Sequence, residues 1–227
     1  MNNSYMRLEK MIGNSNIKKL NGQKVLIVGL GGVGGSCFDT LIRSAIENIY
    51  VCDFDVFEES NLNRQILCTK DVLGLSKVDV AEKKAKEINN NCNVIKIKEK
   101  LTTDNINNLL PKDIDYIIDA CDDVKVKVDL VKFALNNNIK IISCMGTGNK
   151  FYPEKLEITN IWKTEYDPLA KKIRNLLKKE GITFKLPVVS SKENSSVKTD
   201  YVIGSFAPVP NTAGILLASY VLNDILK

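Results

Sequence analysis

The feature that most limits what this chain can fold into is a run of glycines set between an apolar strand and a helix. Residues 24–28 read KVLIV, a β-branched run, and residues 29–34 read GLGGVG. Gly29, Gly31 and Gly34 give the spacing G-x-G-x-x-G, with Gly32 inside it. Without side chains the backbone turns tightly and approaches a phosphate, and the helix that follows offers unpaired amides and the positive end of its dipole. The spacing alone is a weak signal, but its context is complete. A helix is predicted over 32–46, a second β-branched run follows at 49–53 (IYVCD), and Asp53 stands 19 residues after Gly34. A carboxylate at that place takes a ribose hydroxyl. The loop therefore predicts a nucleotide site and leaves NAD(H) and ATP both open, since each carries adenosine, ribose and phosphates.

The rest of the chain extends this pattern. Runs at 93–98 (NVIKIK), 116–120 (YIIDA) and 139–144 (IKIISC) alternate with predicted helices over 76–90, 102–110 and 124–137. In the 76–90 segment Val78, Ala81, Ala85 and Ile88 share one helix face, and Ser76 with Asp79 reads as a capping box. Strand–helix alternation at this spacing predicts right-handed βαβ units. The expected class is α/β, with a Rossmann-like, mostly parallel sheet carrying helices on both faces. Past residue 150 the pattern changes. Residues 156–161 and 186–190 read as strands, 167–180 as an amphipathic helix with Leu169, Ile173, Leu176 and Leu177 on one face, 191–200 as a polar loop, and 211–226 as a final helix. The expected organisation is an N-terminal arm at 1–23, a nucleotide-binding core at 24–150, and a C-terminal antiparallel elaboration at 151–227 within the same domain.

Composition then excludes whole classes of chemistry. The chain has no histidine, so no Ser-His or Cys-His nucleophile pair, no HExxH zinc site and no imidazole acid or base can exist. Its six cysteines are too far apart to form a CxxC pair, which excludes a zinc ribbon, and inside apolar runs they read as small core residues. The stretch 213–222 is too short to span a bilayer and the N-terminus has no apolar signal segment, so a cytoplasmic location without membrane contact is expected. A net charge of +5 permits a polyanionic partner without demanding one. Lysine dominates the basic residues, and the only arginines are Arg7, Arg43, Arg64 and Arg174. Each is worth inspecting, because a guanidinium binds phosphate in ways an ammonium does not.

The residues beyond the second strand, DFDVFEESNLNRQI at 53–66, place Asn61, Arg64 and Gln65 just past a strand end, where open α/β sheets bind ligands. Lys77 falls in the first turn of the 76–90 helix, where a cation opposes the dipole unless an anion is near. Lys77 reads equally as a solvated surface lysine, and Arg64 as one half of a salt bridge. Together they suit a polyphosphate longer than a dinucleotide's. In DACDD, 119–123, Asp119 reads as a structural acid within the strand. Asp122 and Asp123 lie past it, fitted equally to hold Mg²⁺ or to cap the next helix.

Taken in order, GLGGVGG, DFD, NLNRQI, GLSK (74–77) and DACDD resemble the ThiF/MoeB/HesA-type adenylating family, the superfamily of the ubiquitin-activating enzymes. The C-terminal segments CMGTGNK (144–150), TEYDPLAKKIRNLLKKEGI (164–182), PVVSSKE (187–193) and SFAPVPNTAGILLASYVL (205–222) resemble the branch that dehydrates threonylcarbamoyladenosine in tRNA. The resemblance implies ATP and Mg²⁺ as cofactors and a tRNA substrate whose carboxylate is adenylated and then cyclised. It implies that Gly29, Gly31, Gly32 and Gly34 cradle the nucleotide, with Asp53, Asp55 and Gln65 also binding it. Asn61, Arg64 and Lys77 would meet the triphosphate, and Asp122 would hold the metal. The arm YMRLEKMIG (5–13) resembles one that carries an arginine into a neighbouring subunit's site, which implies a homodimer and gives Arg7 that role. The alternative is adenylation of the C-terminal glycine of a ubiquitin-like sulfur carrier, with a sulfur-transfer or carrier protein as partner. Against it, the chain lacks the paired CxxC motifs of that branch, and Cys144 is its last cysteine. No DNA partner is expected. The helix at 167–180, with Lys171, Lys172, Arg174, Lys178 and Lys179, is a candidate phosphate-contacting face or simply a solvated one.

Overall fold

In a computed structural model, which describes residues 3–194 and 203–227, the chain forms an α/β fold. Five parallel strands make its centre: β1 (Lys24–Val28), β2 (Asn48–Cys52), β3 (Asn93–Ile97), β4 (Tyr116–Asp119) and β5 (Lys140–Cys144). β6 (Leu156–Asn160) and β7 (Pro187–Ser191) complete the sheet, whose order among the described residues is β3-β2-β1-β4-β5-β7-β6. β7 joins β5 in parallel and β6 closes the edge antiparallel to β7, which is the C-terminal antiparallel pair expected from the sequence.

Successive residues of β1 explain why both faces are covered. Val25 and Ile27 point into one apolar cluster, Leu26 and Val28 into the other, and all four are buried. Strands buried on both faces are continuously apolar, and helices must cover each side. On the first face lie α2 (Asn14–Asn21), α3 (Gly32–Arg43), α4 (Lys77–Ile88) and α8 (Pro208–Leu226). On the second lie α5 (Ile106–Leu109), α6 (Val124–Asn136) and α7 (Pro168–Lys179). The N-terminal arm, α1 (Met6–Ile12), is tied down by Tyr5, whose hydroxyl donates to Ile42 O at 3.0 Å and accepts from Asn89 Nδ2 at 2.8 Å. No helix of the described residues is long and apolar enough to cross a membrane.

Several sequence expectations shift. The helix predicted over 102–110 shrinks to Ile106–Leu109, because Asn105 Oδ1 takes the Thr102 amide at 2.8 Å and holds the segment before it as a turn. The helix predicted to 46 stops at Arg43, where Ala45 adopts a left-handed φ of 66°. The capping box at Ser76 does not form, since the Ser76 side chain makes no cap bond. Asp79 turns instead to Lys96 and Lys98, at 2.9 and 2.7 Å, and these ammoniums hold its carboxyl below the ordinary value. The final helix starts at Pro208 rather than 211. Of the expected polar loop at 191–200, Ser191 belongs to β7, and residues 195–200 lie outside the described residues.

α3 and α8 pack along each other, and Gly214 makes this possible. A Cβ there would run into the Val33 carbonyl, with the Cys37 amide 2.8 Å away. Overpacking of this kind costs about 1–3 kcal/mol. Gly214→Ala is therefore expected to lower the unfolding free energy by that amount, read as a lower urea midpoint with an unchanged m-value. A midpoint equal to wild type would show that the helices do not meet at Gly214.

Candidate functional site

The sheet order reverses between β1 and β4, with β2 on one side and β5 on the other. Open α/β sheets bind ligands outside the carboxyl ends of the strands at such a switch point. A cavity of about 440 Å³ opens there. Gly29, Gly31, Gly32, Asp53, Asp55, Asn61, Arg64, Gln65, Lys77 and Asp122 all line it. Of the residues assigned to nucleotide binding or catalysis from the sequence, Gly34 and Arg7 do not.

The glycine loop shapes the floor. Gly29 has a φ of 90°, a left-handed value that a side chain disfavours, and a Cβ on it would meet the Ala120 carbonyl at 2.8 Å. Gly34 lies inside α3, where a Cβ would collide with the Gly29 carbonyl, so its role is to let the helix sit against the end of β1. Gly31 has open space around it and supplies no side chain to cap α3. The first amides of α3 thus have neither an intrahelical acceptor nor a cap, and they present donors to the cavity.

Asp53 is bound to this loop. Its Oδ2 accepts the Leu30 amide at 2.6 Å and its Oδ1 accepts the Asp55 amide at 2.9 Å. Lys77 is buried, not solvated, and its Nζ pairs with Asp55 Oδ2 at 2.9 Å. That partner explains how a cation stands in the first turn of α4. Asn61 is also buried, its Oδ1 accepting the Glu58 amide at 3.2 Å in a reciprocal cap. Arg64 donates through Nη1 to Ser60 O at 2.8 Å and to Asn63 Oδ1 at 2.9 Å. No carboxylate pairs with it, so the salt-bridge reading of Arg64 finds no partner among the described residues. Gln65 is buried, and its Oε1 has no hydrogen-bond partner.

The two acids after β4 separate cleanly. Asp123 caps α6, its Oδ1 accepting the Lys125 and Val126 amides at 2.8 and 3.1 Å. Asp122 is exposed at the cavity and, among the described residues, accepts no hydrogen bond and forms no ion pair. Beneath them lies a buried pair that the sequence reading did not foresee. Lys127 Nζ sits 2.9 Å from Asp119 Oδ2 and donates to Cys144 O at 2.7 Å. Burial works against the Lys127 ammonium, but Asp119 together with Cys121 and Cys144 outweighs it, and its pKa stands above the ordinary lysine value. Asp119 Oδ1 also accepts the Cys121 amide at 3.2 Å, which fixes the loop carrying Asp122.

Three further features complete the site. Lys100 and Leu101, beyond β3, line the cavity and could have been found by the same strand-end rule that picked out Asn61 and Arg64. Pro210 of α8 lies beside Gly32, and Asn211 Nδ2 donates to Arg64 O at 3.2 Å, so the last helix closes the cavity wall. All six cysteine thiols are pushed upward by burial: Cys37 and Cys121 farthest, Cys52 and Cys144 to about 12, Cys92 to about 11, and Cys68 above its ordinary value. None is poised as a thiolate. The arrangement suits phosphate binding by amides and cations, without nucleophilic catalysis by the protein.

The comparisons with known proteins agree with this geometry. A profile described as the ThiF family matches residues 3–226. Over 244 aligned residues the chain is 33% identical to the tRNA threonylcarbamoyladenosine dehydratase of Bacillus subtilis, covering 100% of this chain and 96% of the relative. A crystal structure of the Escherichia coli tRNA N6-threonylcarbamoyladenosine dehydratase with ATP superposes with a TM-score of 0.92 at 28% identity, covering 98% of this chain and 93% of the other. The same enzyme with AMP gives a TM-score of 0.90 at 28% identity, over 96% and 92% of the two chains.

Removing Lys127 should expose how much the site depends on its buried pair. Lys127→Met leaves Asp119 charged and unpaired, at a cost of about 3–5 kcal/mol. Lys127→Met/Asp119→Asn should recover part of that loss. Urea unfolding of the three proteins measures both effects, and a Lys127→Met protein as stable as wild type would show that the pair does not hold the site.

Proposed function

The chain belongs to the ThiF family, and from that premise we propose that it uses ATP to adenylate the carboxylate of threonylcarbamoyladenosine in tRNA and then closes the ring with loss of water. The observation that carries this reading is the convergence of phosphate-binding groups on one cavity at the switch point, in a chain similar along nearly its whole length to dehydratases of that substrate. A substrate carboxylate oxygen attacks the α-phosphorus of ATP and pyrophosphate leaves. An intramolecular nucleophile of the same modified nucleoside then displaces AMP from the acyl carbon. The carboxylate oxygen departs with AMP, which accounts for the net loss of water.

The chain's own residues bind and neutralise. The open amides at Gly31 and Gly32 receive phosphate oxygens. Asp53 holds the loop by its backbone amides and faces the ribose. Lys77 is released from Asp55 as the polyphosphate enters, while Arg64, Asn61 and Gln65 meet the phosphates. These groups place donors where charge develops, in a partly closed cavity, and this is the main source of rate in such reactions.

Mg²⁺ fits the residues present. A magnesium ion bound with nucleotide phosphates takes one or two carboxylates and several waters. Asp122 is an acid at the cavity without an internal partner among the described residues, whereas Asp53, Asp55, Asp119 and Asp123 are engaged. When bound, the ion would supply positive charge to the phosphate oxygens. Arg7 is exposed on α1 and does not line the cavity of its own chain, which suits delivery to a second copy in a homodimer. This reading places the enzyme in the cytoplasm. The sulfur-carrier alternative shares the ATP-site residues, but no thiol of this chain is activated for sulfur transfer.

Arg64→Ala should raise the adenylation barrier by about 3–4 kcal/mol, roughly 10²–10³-fold in rate. ATP–pyrophosphate exchange in the presence of the modified tRNA measures it. Full exchange by Arg64→Ala would remove Arg64 from the mechanism, and exchange stimulated by a small carrier protein but not by tRNA would favour the alternative substrate.

A further inference from the structure

A second cleft, of about 550 Å³, lies beside the nucleotide cavity. Thr147 lines the first, while Gly148, Asn149 and Lys150 line the second. The strip between them is pinned to the C-terminal segment: Asn149 N donates to Gly204 O at 2.8 Å and Gly204 N to Asn149 Oδ1 at 2.6 Å. Ser205, the next residue, faces the nucleotide cavity again. One short length of backbone thus divides the two spaces.

Among the described residues, neither Lys150 nor Lys171 of the second cleft forms an ion pair. Lys150 is only 5% exposed, yet among the described residues its Nζ has a single hydrogen bond, to Glu193 O at 3.3 Å. The Glu193 carboxylate faces elsewhere, accepting the Phe151 and Tyr152 amides at 3.1 Å each. The carboxylate that does line the cleft, Asp167, is satisfied by the Ala170 and Gly146 amides and the Ser190 hydroxyl, at 3.0, 2.9 and 3.3 Å. A buried ammonium without a counter-charge is costly unless an anion arrives. Lys171, exposed in the first turn of α7, adds a second cation to the same cleft. On the rim Tyr166 is 58% exposed, a ring free to stack on a base. Of the other basic residues of that helix, Arg174 also lines the cleft, but it and Lys178 are partly committed. Arg174 donates to Ile161 O at 3.3 Å and to Thr164 O at 3.0 Å, and Lys178 stands over the Trp162 ring at 6.0 Å.

We propose that this cleft is an RNA-backbone site, in which Lys150 and Lys171 hold a phosphate of the strand flanking the modified adenosine and Tyr166 stacks on a neighbouring base. The reactive carboxylate then reaches the nucleotide cavity across the 147–149 strip. The proposal rests on the dehydratase reading and narrows the expected basic face of α7 to Lys171, joined by a lysine outside that helix.

The test is steady-state conversion of threonylcarbamoyl-modified tRNA by the full chain, with tRNA KM, kcat, ATP affinity and the salt dependence of tRNA binding measured for each protein. Lys171→Ala and Lys150→Gln should each raise tRNA KM about tenfold, leave ATP affinity unchanged, and reduce the log–log salt slope by about 1. Tyr166→Ala should raise KM without changing the slope. Lys171 is exposed, so its variant carries the test if Lys150→Gln fails to fold. Wild-type KM and salt slope in Lys171→Ala, with an active wild-type enzyme, would overturn the site alone. A change confined to inhibition by inorganic phosphate would overturn it as well. A wild-type protein that converts no tRNA would instead overturn the dehydratase reading.

Discussion

The structure depends on one close approach of backbone to backbone. The start of α3 lies so near the end of β1 that neither Gly29 nor Gly34 has room for a side chain, and the Gly29 carbonyl stands where a Cβ of Gly34 would be. This contact aims the first amides of α3 at the carboxyl end of the sheet. It also fixes the level at which β2 and β4 must end, because Gly29 N donates to Cys52 O at 2.8 Å and Ala120 N to Val28 O at 2.9 Å. Asp53 then bonds the loop from the β2 side, through the Leu30 amide. The proposed phosphate site is therefore a consequence of how a helix meets a strand, and the side chains around it are added to a frame the glycines have already set.

The C-terminal part is a wall of that frame. Asn211 reaches both Ser36 on α3 and the Arg64 carbonyl, and Asn63 Nδ2 donates to Ser205 O at 3.2 Å. The loop that carries Arg64 is thus clamped between the helix after the glycines and the last helix of the chain. Changes in α8 far from the nucleotide should act on Arg64 through its backbone, which couples the most specific cation of the site to the packing at Gly214.

Local patterns made much of this legible in the sequence. The glycine spacing, the β-branched runs and the acid closing β2 each encode their geometry within a few residues, so the sheet, its faces and the position of the nucleotide cavity could be read directly. What was not legible depended on contacts distant in the chain. Asp79 looked like half of a capping box because the pattern is local, but Lys96 and Lys98 from the next strand compete for it. Lys77 could not be told from a surface lysine without Asp55 folded over it. Asp122 and Asp123 have the same chemistry and adjacent positions, and only the start of α6 decides which one becomes the cap. Arg174 read as a surface cation, yet the turn at Ile161–Thr164 captures its guanidinium.

The absence of histidine gains a physical meaning from these pairings. A site without imidazole has no group that changes charge near neutral pH. Its cations must be kept charged and soluble by other means until phosphate arrives, and its acids must be kept from occupying them permanently. Two cation–acid contacts near the cavity differ in this respect. Lys127 and Asp119 are both fully enclosed and also bound to backbone, so that pair is structural and stays closed. Lys77 is enclosed, but its partner Asp55 is about half exposed, with 47% of its side chain open to solvent. Exchange of Asp55 for a phosphate oxygen removes one accepting anion and supplies another without leaving the ammonium bare, and the released carboxylate is taken up by water at little cost. The asymmetry in burial between the partners, not the distance they share, separates the cation that holds the frame from the one we propose for the nucleotide.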